Sequence, residues 1–363
     1  MTGRWLNGSS CARRRGAGSR GLWQPPAIFL ALLIVSLGGW AHAGDADWPA
    51  IEAAAKKVGK LTLYHNLPPP GDEGLIAAFE SAHAGMKVET VRLGSSALIQ
   101  RFEAETTAGV CPADALMIIY DEAENRWIDN GWVLEWTPPE AAAYPAEFRH
   151  RDRLFTTQLF REAIIYNTTR IKHADAPKSY ADLFDPKWKG KVGLNPPWRS
   201  VAVQGLVAFW EKHLGITSVA QRVKDNDVRF FSGSAGVMQA VVRGDVWIGS
   251  LIDPAVINAL ADGAPIAAVY PETGVPAAVA NVFVPAKAPS TAAGKLFVNW
   301  LLSEQGQTAL QDSSGAPVTR PGVKPPKLVP PNSALKITLT PPLLTPDYQQ
   351  AMLKEFRTIF NVQ

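Results

Sequence analysis

Between Lys178 and Ser200 the chain reads KSYADLFDPKWKGKVGLNPPWRS. The apolar spacing from Tyr180 to Phe184 predicts a short helix. Asp185-Pro186 ends it, because a residue before proline is pushed out of the α region. Lys187 to Gly190 is a charged turn carrying one aromatic, Trp188. Lys191 to Leu194 predicts a short buried strand, broken by Asn195-Pro196-Pro197. Trp198, Arg199 and Ser200 stand where the next helix opens, and Val201, Val203, Leu206 and Phe209 form its apolar stripe. A strand running into a loop and a helix N-terminus is where open α/β sheets bind ligands.

Upstream, the same alternation repeats. Trp48 to Lys57 predicts a helix and Leu61 to Tyr64 a strand, followed by the loop His65 to Gly71. Leu75, Ala78 and Phe79 mark a helix, and Met86 to Val91 a strand. Gly94-Ser95-Ser96 opens a helix carrying Leu98, Ile99 and Phe102. Ala115 to Tyr120 is a third strand and Glu122 to Ile128 a helix. This βαβαβ order calls for a parallel, doubly wound α/β sheet. Arg153 to Tyr166 is strand-like throughout and fits a segment crossing between two lobes.

Downstream, Val201 to His213 predicts one helix, Asp227 to Phe231 a strand, and Ser232-Gly233-Ser234 a helix start. Val246 to Ile252 and Ile266 to Tyr270 predict strands, and Ala280 to Val284 a return to the first lobe. Ala292 to Leu310 predicts a single amphipathic helix. Ser314 to Pro346, rich in proline, reads as irregular, and Pro346 to Phe360 as a docking helix.

Four segments carry a resemblance. Pro177 to Leu183 with Asp185 to Lys191 resembles the interlobe signature of periplasmic solute-binding proteins of ABC transporters. Tyr270-Pro271-Glu272-Thr273-Gly274 resembles their acidic turn before the return strand. Leu301 to Gln307 resembles their C-terminal helix signature, and Ser314 to Pro321 the segment after it. The group resembled is the ferric-iron type (extracellular solute-binding family 1) with its non-iron relatives. The resemblance implies a type II two-lobed fold with an interlobe cleft, one small ligand, and a membrane permease and cytoplasmic ATPase as partners. The lobes expected are 44–155 with 278–320, and 156–277 with 321–363.

Three helix starts are candidates to face the cleft: Ser95-Ser96, Ser200, and Ser232-Gly233-Ser234. Free N–H groups and the positive dipole end suit an anion there. Arg199 offers a planar two-pronged contact to carboxylate or phosphate. Each serine is equally an ordinary N-cap. Trp198 lies on the same loop, while His65, Asn66 and Asp253 are placed to face a polar or cationic part of an organic ligand. The ferric-binding group uses adjacent tyrosines just after the strand matching Val246 to Ile252. Here that place reads Ser250-Leu251-Ile252-Asp253-Pro254-Ala255, and no Tyr-Tyr pair occurs anywhere. The group's acidic ligand position falls near Tyr120, Asp121 and Glu122, and His65 near another. One His and one Asp make a poor ferric site, which wants several anionic oxygens. The expectation is therefore no metal and no cofactor.

Residues 1–43 read as an export signal. Arg4, Arg13, Arg14, Arg15 and Arg20 precede the apolar run Ala27 to Leu37, and Ala41-His42-Ala43 has the form of a cleavage site. Taking five arginines from the 36 basic residues leaves 31 against 33 acidic ones, so nothing suggests nucleic acid. Cys11 leaves with the signal, and Cys111 alone forms no internal disulfide. No His-Glu-x-x-His, P-loop, Gly-x-Ser-x-Gly or Gly-x-Gly-x-x-Gly motif is present, which counts against an enzyme. The reading is a monomeric periplasmic binding protein for a small, anionic solute. Its rivals are a ferric-iron binder with a substituted site and a ligand sensor for a receptor kinase.

Overall fold

The computed structural model describes residues 48–67, 71–119 and 123–362. Residues 1–43, expected to be an export signal, Pro68 to Pro70 and the Tyr120-Asp121-Glu122 stretch lie outside these described residues. In chain order the helices are α1 (Trp48–Val58), α2 (Gly71–Ala82), α3 (Ser95–Thr107), α4 (Ala123–Asp129), α5 (Val201–Ala208), α6 (Val219–Asp225), α7 (Gly233–Arg243), α8 (Asp253–Ala261), α9 (Thr291–Leu302), α10 (Glu304–Ser314) and α11 (Pro346–Phe360). The strands are β1 (Lys60–His65), β2 (Lys87–Arg92), β3 (Ala115–Ile119), β4 (Arg149–His150), β5 (Leu154–Asn167), β6 (Val192–Leu194), β7 (Arg229–Phe230), β8 (Ile248–Ile252), β9 (Ile266–Val269), β10 (Val275–Phe283) and β11 (Ile337–Leu339).

Strand order is β2-β1-β3-β10-β5-β8-β6-β7, with β4 and β9 on β5 and β11 on β10. β1 runs parallel to β2 and β3, and β6 runs parallel to β7 and β8. These are the two doubly wound halves that the βαβ alternation calls for. β5 and β10, antiparallel to each other, join them. In the first half, Leu61, Leu63, Phe79, Met117, Phe297 and Trp300 pack on one sheet face. Tyr64, Leu98, Phe102, Trp127 and Phe283 pack on the other. In the second half the two faces carry Ile164, Tyr180, Leu194, Phe209 and Phe356, and Ala163, Ile165, Val237, Val241 and Leu251.

β5 is the spine. All of it is buried, its first half pairing with β10 and its second half with β8 and β9. A strand covered on both faces must give its polar side chains partners. Thr156 Oγ1 donates to Asn281 Oδ1 at 2.7 Å, Thr157 Oγ1 to the Ala280 carbonyl at 3.1 Å, and Asn167 Nδ2 to the Val241 carbonyl at 2.8 Å.

The 178–200 stretch folds as its residues demand. Tyr180–Phe184 is a single 3-10 turn whose start is tied by Asp182 Oδ2, which accepts from the N–H groups of Lys178 (2.7 Å) and Ser179 (3.0 Å). The Lys187–Gly190 turn closes on Gly190 at φ +69°, a left-handed conformation that glycine adopts freely. β6 then enters the sheet beside β8. There Gly193 and Gly249 lie opposite each other, and an added Cβ would stand 2.9 Å from Val246 or Val237, so only glycine admits that packing.

Several boundaries differ from the sequence reading. The expected helix Ala292 to Leu310 is two helices, α9 and α10. Ser303 breaks it, its Oγ accepting from the Gly306 N–H at 3.1 Å as the cap of α10. The expected helix Val201 to His213 leaves α geometry at Phe209–His213, which forms a π turn. β10 starts at Val275, five residues before the expected return strand. The proline-rich 314–346 segment is not wholly irregular, since β11 pairs in parallel with the start of β10. α6 and α8 are helices that the sequence reading did not place. No helix among the described residues is long and apolar enough to cross a membrane.

Candidate ligand-binding cleft

A cavity of about 510 Å³ opens where the two halves meet. Its polar wall comes from two helix starts. The first turn of α3 contributes Gly94, Ser95, Ser96 and Ala97, and the loop entering α5 contributes Arg199, Ser200, Val201 and Ala202. Its apolar wall is made by strand residues Ile119 (β3), Phe160 (β5), Ile252 (β8) and Ala278 (β10). The cavity thus lies at the C-terminal ends of β3 and β8 and against the middle of both joining strands, β5 and β10.

Gly94, the N-cap of α3, has no side chain to cap the helix, so its first-turn N–H groups remain available to the cavity. Ser95 Oγ accepts from Asn66 Nδ2 at 2.7 Å, which fixes the loop after β1 against α3. At α5, Ser200 Oγ accepts from the Val203 N–H at 3.3 Å. Ser200 therefore caps its own helix, and its hydroxyl hydrogen and the N–H groups of Val201 and Ala202 remain. Arg199 is exposed, and among the described residues its guanidinium has neither a carboxylate within ion-pair reach nor a hydrogen-bond acceptor.

Ser95, Ser96, Arg199 and Ser200 are thus brought together, with Asn66 directly behind Ser95. The other candidates are placed elsewhere. Ser232, Gly233 and Ser234 begin α7 but do not line the cavity, and the Gly233 N–H points at Asn195 Oδ1, 3.4 Å away. Trp198 turns its ring onto Phe230 and Phe360, with centroids 5.0 and 6.2 Å apart, so it packs with β7 and α11 and does not line the cavity. His65 is fully buried, and neither ring nitrogen has a hydrogen-bond partner among the described residues. Burial chiefly holds its pKa below the ordinary imidazole value; nearby Asp72 opposes the shift and Arg92 adds to it.

Asp253 corrects the sequence reading most. Expected to face a ligand, it instead opens α8, is wholly buried and does not line the cavity. Its carboxylate pairs with Arg161 Nε and accepts from the Tyr270 hydroxyl. Arg161 Nη1 also donates to the Pro330 carbonyl (2.8 Å) and Asn332 Oδ1 (2.9 Å). This cluster binds the joining strand to α8 and to the C-terminal segment. Apolar patterning does not mark the floor residues Phe160, Ile252 and Ala278, nor Glu162 near them; a charge inside the run LFREAIIY is the one available signal.

A second cavity, about 710 Å³, lies under the proline-rich segment. Its arginine, Arg320, is already engaged by Glu140 at 2.8 Å and the Leu302 carbonyl at 2.6 Å. No group of three or more His, Cys, Asp or Glu among the described residues is placed to hold a metal ion. The buried Cys111 thiol donates to the Ala113 carbonyl, and burial pushes its pKa up to about 11, which keeps it protonated.

Two α/β halves joined by antiparallel strands, with a cleft at the junction, define a two-lobed periplasmic-binding-protein fold. Residues 74–337 match the family of bacterial extracellular solute-binding proteins, and the chain belongs to that family. It is similar to iron uptake protein A1 of Synechocystis sp., 25% identical over 303 residues that cover 78% of this chain and 80% of that one. Among solved structures it resembles iron-bound HitA of Pseudomonas aeruginosa, with a TM-score of 0.71 at 23% identity, covering 83% of this chain and 99% of that one. It also resembles the periplasmic binding protein AfuA of Actinobacillus pleuropneumoniae with fructose-6-phosphate bound, at TM-score 0.69 and 19% identity, covering 84% and 99%. The ferric-iron-type group that the sequence resembles is thus also the group its relatives come from.

Proposed function

We propose that the protein captures a small solute bearing an oxyanion in this cleft and delivers it to the permease and ATPase of an ABC importer. It would work as a monomer in the periplasm after removal of residues 1–43, without a cofactor and without catalysing a reaction. The lobes would be 44–155 with 278–320, and 156–277 with 321–363, closing on the ligand by a hinge motion that shifts the open–closed population. The observation that carries the reading is Arg199: an unpaired guanidinium beside the capped start of α5, facing the uncapped start of α3 across one cavity. An anion there gains a charge-assisted hydrogen bond, free N–H groups and two helix dipoles together. AfuA, with its sugar phosphate, shows that a neighbour in fold takes a phosphorylated ligand. Thermal-shift screening of the purified protein against sulfate, phosphate, methylphosphonate, acetate, citrate and spermidine tests this. Stabilisation by an anion is expected, and stabilisation by spermidine alone would overturn it.

The iron-associated relatives favour ferric ion as a second reading. It is weakened by Asp253, which stands where that group has its tyrosines and is already spent on Arg161. Protein mixed with ferric citrate should stay colourless, whereas a tyrosinate-to-iron absorption band would establish the iron reading.

A further inference from the structure

The anion-facing end of the cleft has a counterpart on its floor. Side chains alternate along a strand, so Glu162 projects to the same sheet face as Phe160, two residues earlier. It also lies directly opposite Ile252 in the β5–β8 register. Phe160 and Ile252 are both cavity walls. Glu162 therefore sits immediately behind the apolar wall, at the end of the strand row that lines it.

Its surroundings are unusual for a carboxyl group. Glu162 is 4% exposed, and Ser250 Oγ donates to it at 3.0 Å. Among the described residues no Lys, Arg or His forms an ion pair with it. Arg161 projects to the opposite face and is committed to Asp253. The Tyr180 hydroxyl donates to the Glu162 backbone carbonyl at 2.6 Å, not to the carboxylate. α5, which packs over this face, carries no titratable side chain between Val201 and Ala208. On β8 the neighbour is Ser250, on β10 Ala278, and on α8 Asp253, whose negative charge opposes ionisation of Glu162. Tyr270 is tied to Asp253. A buried carboxyl without a cation keeps its proton or waits for a partner; burial here moves its pKa up to about 7.

We propose that Glu162 is the second pole of the cleft and receives an ammonium group, so that the solute is a short zwitterion. Its oxyanion would lie at Arg199 and the two helix starts, and its ammonium at the strand floor. This rests on the oxyanion reading of the same cleft. The proton balance is definite: Glu162–COOH plus R–NH₃⁺ gives the carboxylate–ammonium pair and one proton released to solvent. An anion lacking the amine would instead require Glu162 to stay protonated.

The test is titration calorimetry at pH 6 and pH 8, in two buffers of different ionisation enthalpy. The probes are pairs that differ only in the ammonium: glycine and acetate, β-alanine and propionate, taurine and ethanesulfonate. None of their acid groups titrates in that range. For the best-fitting pair, the zwitterion should bind more tightly than its amine-free partner. Its affinity should rise about tenfold from pH 6 to pH 8, with close to one proton released at pH 6. The amine-free partner should weaken over the same range. Glu162→Gln should flatten both profiles and erase the preference for the amine. If the amine-free anion binds equally well at pH 8, or the zwitterion's affinity ignores pH, the inference fails. The oxyanion reading survives that outcome provided Arg199→Ala still weakens the anion. If no probe of either kind binds, the inference fails, and the oxyanion reading is decided by the thermal-shift screen.

Discussion

Replacing Glu162 by Gln should make the ligand-free protein more stable at alkaline pH, against the usual trend for core substitutions. Glu162 holds its proton up to about pH 7 in the folded chain, against an ordinary value of 4.5. Between those values the folded state binds a proton that the unfolded state has released. Stability is then fully present below pH 4.5 and declines as pH rises through 7. From pH 5 to pH 8 this one group should cost the parent about 2–3 kcal/mol, at roughly 1.4 kcal/mol per pH unit. Gln keeps the shape and an acceptor for Ser250 Oγ but has no proton to lose. The gap between the two melting temperatures should therefore widen by about 4 °C from pH 5 to pH 8, taking roughly 2 cal/mol/K per residue for the 320 residues after position 43. Differential scanning calorimetry at four pH values reads this directly. A variant less stable than the parent at every pH, or a gap independent of pH, would show that Glu162 is already solvated and ionised in the ligand-free protein.

Other outcomes follow from the packing. Asp253→Ala strands the Arg161 guanidinium in the core, and urea denaturation should show a loss of about 3–5 kcal/mol, the cost of breaking a buried pair from one side; a loss below 1 kcal/mol would mean that water reaches Arg161. Gly205→Val should cost about 1–3 kcal/mol by overpacking, because even a Cβ there would lie 2.6 Å from Thr340 Oγ1; an unchanged melting temperature would refute that close approach. Ser303→Ala removes the cap between α9 and α10 and should cost about 1 kcal/mol in thermal unfolding; no effect would place the helix break elsewhere. N-terminal sequencing of protein from the periplasmic fraction should begin at Gly44, and recovery of the full-length chain from cytoplasm alone would contradict the export reading.

What the sequence made legible was local. Strand, turn and helix start from Lys191 to Val201 follow from prolines, a glycine and apolar spacing, and Ser200 does cap α5. The βαβ order made the parallel halves legible as well. What stayed hidden depends on partners far along the chain. Asp253-Pro254 reads equally as a loop or as the first turn of a helix, and only Arg161, 92 residues earlier, decides that the aspartate is buried. Trp198 stands beside a cleft residue in sequence, yet Phe230 and Phe360 claim its ring. No proline interrupts the run from Ala292 to Leu310, and Ser303 reads as one polar residue within it, so the cap that splits the helix is masked. Glu162 lies in a strand buried on both faces, where alternation does not mark which side meets a cavity.

Arg199 and the starts of α3 and α5 are proposed to hold an oxyanion. Titration calorimetry of the parent and Arg199→Ala, using the anion that stabilises the parent most in the thermal-shift screen, tests it most directly. A charge-assisted hydrogen bond contributes roughly 1.5–3 kcal/mol, so the variant should bind about tenfold to a hundredfold more weakly. Its melting temperature without ligand should be unchanged, since the exposed guanidinium has no partner among the described residues. Equal affinities in the two proteins would contradict the claim.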